Sequence, residues 1–236
     1  NRAKSFFRHT GVKFNSSNFF ELPHSRNRSK LTTRMHYFNQ KFKINESGSI
    51  ILHLGWIHDV MNSFDLSKST LSWPVEYSLV LHERMKRSKS EPYIRKILNL
   101  NSPSLSLSIN PVDYNKLDNL IASSDIGLVI YKPLGYGISW ENMTKASGKI
   151  ADYLALGKPV ICSDLPGFNS LLETYQCGYI FKSLDDIPSI IQKILLNYET
   201  LSRNALLCFT KEYEFSNFFL KVKKSILENQ SYGRTY

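Results

Sequence analysis

The sequence predicts an α/β domain built on a doubly wound parallel sheet. Three observations carry this prediction. Short apolar runs recur from Ser49 onward, helical patterns separate most of them, and all but one run are apolar on both alternating faces rather than one. Strands that are apolar throughout belong to sheets covered on both sides, and strands alternating with helices belong to parallel sheets.

In order, the strands are SIILHLG (49–55), YSLVLH (77–82), SLSLSI (104–109), DIGLVIY (125–131), KPVICS (158–163) and CGYIF (177–181). The third alternates and then meets Asn110-Pro111. Helices are predicted over Tyr93 to Leu100, over Asp113 to Ser123 on the spacing of Leu117, Leu120 and Ile121, over Ser147 to Leu156, and over Gly167 to Tyr175. Ile187, Ile190, Ile191, Ile194 and Leu195 recur with helical period; Asp185 and Asp186 suit the start of that helix and Pro188 its first turn. Phe215, Phe218, Phe219, Val222 and Ile226 mark a last helix ending near Glu228, and residues 229–236 are expected to fray. Right-handed parallel crossovers make this domain, 48–228, Rossmann-like.

Residues 1–47 have a different character. Arg2 to Arg8 reads as a helix end, Phe19 to Pro23 as a strand closing on proline, and His24 to Asn45 as a polar, basic connector. Of the net charge of +10, residues 1–47 hold +8, with ten Lys/Arg against two acids. The remainder is nearly balanced at +2. Such a segment suits an anionic membrane face or an acidic ligand, with nucleic acid as the less favoured partner; the plain alternative is a solvated linker.

The 236 residues are 42% hydrophobic and 21% charged, a globular composition long enough for one large domain. No apolar run approaches the roughly 18 residues that a membrane span needs. Cys162, Cys177 and Cys208 lack metal-ligand spacing and are expected to be buried, reduced thiols of a cytoplasmic protein. No secretory signal is visible, and the missing initiator Met points to processing, trimming or a fragment.

The stretch with the most chemistry is KASGKIADYLALGKPVICSD, Lys145 to Asp164. Ser147 can cap the helix, Gly148 leaves the first-turn amides open, and Lys149 adds a cation beside them. Asp152, three residues on, lies on the same face and can accept from vicinal hydroxyls. Diphosphate and ribose of a nucleotide are separated by about that much. The bland alternative is an exposed Lys149–Asp152 ion pair worth ~0.3 kcal/mol. The long loop before the helix, PLGYGISWENMTKA (133–146), contains Gly135, Gly137, Trp140 and Asn142 and sits where ligands of such sheets bind. His82-Glu83-Arg84 also follows a strand, though a strand-end His is more often a polar cap, and Tyr131 reads as core.

SSDIGLVIYKP, ENMTKASGKIADYLALGKPVICSDLPGFNSLLE and CGYIF together resemble the donor-binding half of GT-B glycosyltransferases, in the broad retaining, family 4-like group. The resemblance covers 48–228; NRAKSFF and FFELPHS resemble the end of the acceptor-binding half and the crossover. It implies a nucleotide-diphosphate sugar donor, hexosyl transfer with retention, no metal or other cofactor, and a role in polysaccharide synthesis at or near the membrane face. It places Ser147, Gly148 and Lys149 on phosphate or sugar, Asp152 on the ribose, and Asn110 and Pro111 at the base. Gly55, Trp56, Asn142 and Lys145 complete the expected donor site. The chain departs from the pattern in two ways. Asp152 stands at the second of two usual Glu positions while Thr144 stands at the first, and Gly55-Trp56-Ile57-His58-Asp59 offers only His58 where Arg and Lys are usual. The acceptor half is largely missing or on a partner chain, so the chain alone is expected to bind nucleotide but turn over slowly or not at all. Alternatives of other classes are a nucleotide-sugar epimerase on the same fold and a non-enzymatic binder of anionic surfaces through residues 1–47.

Overall fold

The computed structural model describes residues 11, 23–31, 33–132 and 143–232. Among them six strands, β1 (Ser49–Leu54), β2 (Tyr77–His82), β3 (Leu105–Ser108), β4 (Ile126–Val129), β5 (Val160–Ser163) and β6 (Gly178–Phe181), form one sheet in the order β3-β2-β1-β4-β5-β6. Every neighbouring pair is parallel. The fold is thus a doubly wound, Rossmann-like α/β domain, and the strand order reverses direction between β1 and β4. Each predicted strand is present; the apolar runs overshoot the hydrogen-bonded ladders by a residue or two because buried chain continues past the last bond.

Nine helices accompany the strands among the described residues: α1 (Tyr37–Phe42), α2 (Ser63–Ser69), α3 (Pro92–Leu98), α4 (Leu117–Ala122), α5 (Gly148–Leu154), α6 (Pro166–Tyr175), α7 (Ile187–Leu196), α8 (Tyr198–Glu212) and α9 (Phe215–Tyr232). Three of these were not expected. α1 interrupts the supposed connector and is held by fully buried Phe38. α2 fills the β1–β2 crossover on buried Ser63, Leu66 and Ser67, two of them too polar to mark a core face in sequence. α8 buries Leu201, Ala205, Cys208 and Phe209, a helical spacing carried partly by small residues. At the other end, α9 runs to Tyr232, so 229–232 are helical rather than frayed, and 233–236 lie outside the described residues. The helix end at Arg2 to Arg8 and, Pro23 apart, the strand at Phe19 to Pro23 also lie outside them.

Side chains alternate across the sheet and make two cores. Ile50, Leu52 and Leu54 of β1 pack with Phe38, Leu120, Tyr153, Phe168 and Phe209 on one face. Ile51, Leu79, Leu81 and Leu128 pack with Leu66, Ile94, Ile97 and Ile191 on the other. The three cysteines are buried and free, two of them placed in this fold by β5 and by α8. No helix among the described residues is long and apolar enough to cross a membrane.

One contact fixes the helix that matters for the site. The Tyr153 hydroxyl of α5 donates to the Leu52 carbonyl at 2.6 Å and accepts from the Leu54 N–H at 2.8 Å. Its ring lies over Gly127, where an added Cβ would come within 2.3 Å of the ring carbons. Glycine is required there by close approach, and the slot seats α5 on β1 and β4. Gly127→Ala is therefore expected to cost about 3 kcal/mol through overpacking, read as a lowered denaturant midpoint with unchanged slope.

Candidate functional site

The carboxyl ends of β1, β2 and β4 open onto one cleft of about 490 Å³ beside the start of α5. Gly55 and Trp56 line it after β1, His82 and Arg84 at β2, Pro111 and Val112 after β3, Tyr131 after β4, and Ser147, Gly148, Lys149 and Asp152 from α5. This is the crevice at the switch point where doubly wound sheets take their ligands. Gly55 has φ +121°, a conformation that favours glycine, and a Cβ there would lie 3.8 Å from the Lys149 Nζ. The turn thus lets the backbone run against the lysine.

Lys149 is half-buried and reaches across the cleft floor, with Nζ 4.5 Å from the centre of the Tyr131 ring and 4.0 Å from the Met61 Sδ. Among the described residues no carboxylate pairs with it. Burial, and then the nearby Arg84 guanidinium, push its pKa down to about 7. Arg84 sits over the Trp56 ring at 5.3 Å and likewise has no acidic side-chain partner among the described residues. Lys149 and Arg84 therefore line one pocket, and among the described residues neither is paired with a carboxylate. His58, which stands in the β1 loop where Arg and Lys are usual, accepts from the Val60 N–H at 3.2 Å and stacks with Trp56 and Tyr93. Arg84, which lines the cleft, comes from the end of β2 and not from the β1 loop.

Arg84 owes its place to Glu83, which is fully buried. The Glu83 carboxylate accepts from the Ile57 N–H at 2.9 Å, from the Arg84 N–H at 2.9 Å and from the Met85 N–H at 3.3 Å. Arg87 Nη1 approaches it at 3.3 Å. His82 is not a mere polar cap. It is buried in the cleft wall with Nδ1 2.9 Å from the Ser108 Oγ, and that hydroxyl also accepts from Lys41 at 3.0 Å. Burial and Lys41 hold its pKa down at about 4, so it is neutral at pH 7.

Asp152, three residues on in α5, does not pair with Lys149. Its Oδ1 accepts from Arg26 Nη1 at 2.9 Å, while Arg26 Nη2 reaches Asp118 Oδ1 at 2.5 Å. Burial raises the Asp152 pKa and the Arg26 charge opposes the rise. Arg26 lies 126 residues away in sequence, within the supposed connector.

Two expectations at the helix start are corrected. Ser147 occupies the cap position, yet its hydroxyl makes no cap bond and instead lies 2.9 Å from the Tyr131 Oη. The space beside Gly148 is not open, because a Cβ there would be 2.7 Å from the His24 Nε2. Tyr131 accordingly is a cleft residue as well as a buried one. Of the remaining candidates, Lys145 turns away to Glu212 at 3.5 Å, Asn110 is exposed and outside the cleft lining, and Asn142 lies outside the described residues.

No protein-family model matches the chain, and no curated protein matches it in sequence. Solved structures share its fold. HepE of Anabaena, crystallised with UDP and also with UDP-glucose, aligns with TM-score 0.60 and 13% identity over 81% of this chain and 51% of that one. Sucrose-phosphate synthase of Thermosynechococcus elongatus aligns with TM-score 0.67 and 16% identity over 99% and 57%. The C-terminal domain of a glycosyl transferase group 1 family protein from Francisella tularensis aligns with TM-score 0.56 and 13% identity over 80% and 95%. The chain spans little more than half the length of the first two. What is shared is the Rossmann-like architecture of GT-B glycosyltransferase domains.

Proposed function

We propose that the chain is the donor-binding half of a GT-B glycosyltransferase and holds a nucleotide-diphosphate sugar in the cleft at the switch point. The observation that carries this reading is that Lys149 and Arg84, neither with a carboxylate partner among the described residues, line the same cleft as the Asp152 carboxylate. A diphosphate supplies the missing negative charge, and a ribose supplies hydroxyls to the acid. The UDP and UDP-glucose complexes of HepE support the ligand class, and the fit to an isolated C-terminal domain supports the reading of the chain as a half enzyme. In transfer, the bond from the anomeric carbon to the diphosphate oxygen breaks, the diphosphate leaves with the electron pair, and an acceptor oxygen takes the carbon and gives up its proton. Lys149 and Arg84 would stabilise the leaving diphosphate. Retention of configuration follows from the family 4-like sequence pattern. The acceptor would meet the donor from the other half of such a fold.

The test is calorimetric titration with UDP, GDP and ADP. Micromolar binding of one of them, weakened by ~1–3 kcal/mol in Asp152→Ala, is expected; binding of none overturns the reading. Proton linkage gives a second check. Lys149 is mostly neutral above its pKa of about 7, and a bound diphosphate favours the ammonium. Binding at pH 8 should therefore take up close to one proton, and affinity should fall as pH rises from about 7. Titrations in two buffers of different ionisation enthalpy measure the uptake, which should vanish in Lys149→Arg. Proton-neutral binding by the wild type at pH 8 would remove Lys149 from the phosphate.

A further inference from the structure

Asp152 is not a free carboxylate: a strap ahead of the domain sets it. The strap is pinned on both sides of Arg26. The His24 N–H donates to the Lys145 carbonyl at 2.7 Å, the Arg26 N–H to the Tyr213 carbonyl at 3.3 Å, and the Phe215 N–H to the Arg26 carbonyl at 3.0 Å. With its backbone fixed, Arg26 sends its guanidinium between α4 and α5 and bonds Asp118 and Asp152 with separate nitrogens. The three side chains are only 12%, 26% and 20% exposed. The geometry uses one oxygen of Asp152. Among the described residues no hydrogen bond reaches its Oδ2; His24 and Asp118 are the other charged groups that act on it, and Asp152 lines the cleft.

We propose that Arg26 is a positioning residue for ribose recognition: it holds Asp152 by Oδ1 and so presents Oδ2 to the vicinal hydroxyls of a nucleotide in the cleft. This inference rests on the nucleotide-binding reading above. The planar fork of Arg spans two carboxylates, which a Lys ammonium on the same backbone cannot do with the same geometry. Removing the guanidinium leaves Asp118 and Asp152 facing each other in a partly buried site. Like charge and burial then favour a protonated or rotated Asp152, and the charge-assisted bond to a diol is lost. Arg26 touches Asp152 rather than the ligand, so its loss should change what the site discriminates more than whether it holds phosphate.

The experiment compares wild type, Arg26→Gln and Arg26→Lys, each checked by thermal melting. The probes are the best-binding of UDP, GDP and ADP, its 2′,3′-dideoxy counterpart, and inorganic pyrophosphate. Wild type is expected to prefer the ribonucleotide by about tenfold or more. In Arg26→Gln the ribonucleotide should weaken about tenfold and the preference fall to within about twofold, while pyrophosphate binding is unchanged, as for loss of one charge-assisted bond. Arg26→Lys should fall between. If Arg26→Gln does not fold, Arg26→Lys decides on the same ratio. A variant that keeps the wild-type ribose preference overturns the role of Arg26 and leaves nucleotide binding standing. A wild type that binds no nucleotide overturns both.

Discussion

Replacing Lys149 by Met is expected to weaken nucleoside diphosphate binding about a hundredfold and, in the same protein, to raise thermal stability. The first effect is the loss of a charge-assisted contact of about 3 kcal/mol. The second has the opposite sign because the free site carries a cost. Lys149 shares a half-buried cleft with Arg84 and has no acid beside it among the described residues, so its folded pKa of about 7 lies below the ordinary 10.5. Between those values the unfolded chain binds more protons than the folded one, and stability rises with pH. Below about pH 7 the folded protein bears the full cost of the charged group. Met fills the same space without it. The variant should therefore melt higher than wild type, with the gap largest below pH 7 and closed near pH 10.5. Melting curves across that range with a nucleotide titration at pH 7 read both effects. An unchanged affinity would place the phosphate elsewhere, and an unchanged melting temperature would mean that the ammonium is better solvated than the cleft suggests.

Replacing Glu83 by Ala should have the largest effect on stability of any single change near the site. The carboxylate is fully buried and satisfies three backbone N–H groups as well as facing Arg87. Its removal leaves those donors and part of the Arg87 charge without a partner, at a cost of about 3–5 kcal/mol. For a chain of this length that corresponds to a fall of roughly 10 °C in melting temperature. Glu83→Gln, which keeps the shape and one acceptor oxygen, should cost less than half as much. Because Glu83 joins Ile57 to Arg84, nucleotide binding should fall in both variants at temperatures where they remain folded. A Glu83→Ala protein that melts like wild type would show that water replaces the carboxylate.

The fold was legible because its signals are local. SIILHLG, YSLVLH and DIGLVIY could hardly be anything but buried strands, and the isoleucine repeat of α7 shows directly in the residue spacing. Where small or polar residues do the burying, as Ala205 and Cys208 do in α8 or Ser63 and Ser67 in α2, the periodicity fades and the helix is missed. The cleft was legible along α5 and at the strand ends, where Gly55, Trp56 and Pro111 also fall. Lys149 and Asp152 were recoverable together as cleft residues because one helix carries both. Their partners come from other elements. Arg84 follows β2, Tyr131 follows β4, and Arg26 and His24 come from the strap, so no spacing in the sequence joins them. The Ser147 hydroxyl was assigned to a cap by the rule for isolated helices, and a buried tyrosine hydroxyl took it instead.

The bonds between the strap and the root of α9 have a mechanical consequence. Arg26 is clasped by Tyr213 on one side and Phe215 on the other, so the segment entering the domain and the helix leaving it meet at a single rivet. α9 need not reach the cleft to act on it. A displacement of the root of α9 would meet the Arg26 backbone first, through two hydrogen bonds, and Asp152 only through its guanidinium. α9 and the cleft are thus joined through one arginine, whose backbone carries the helix root and whose side chain carries Asp152.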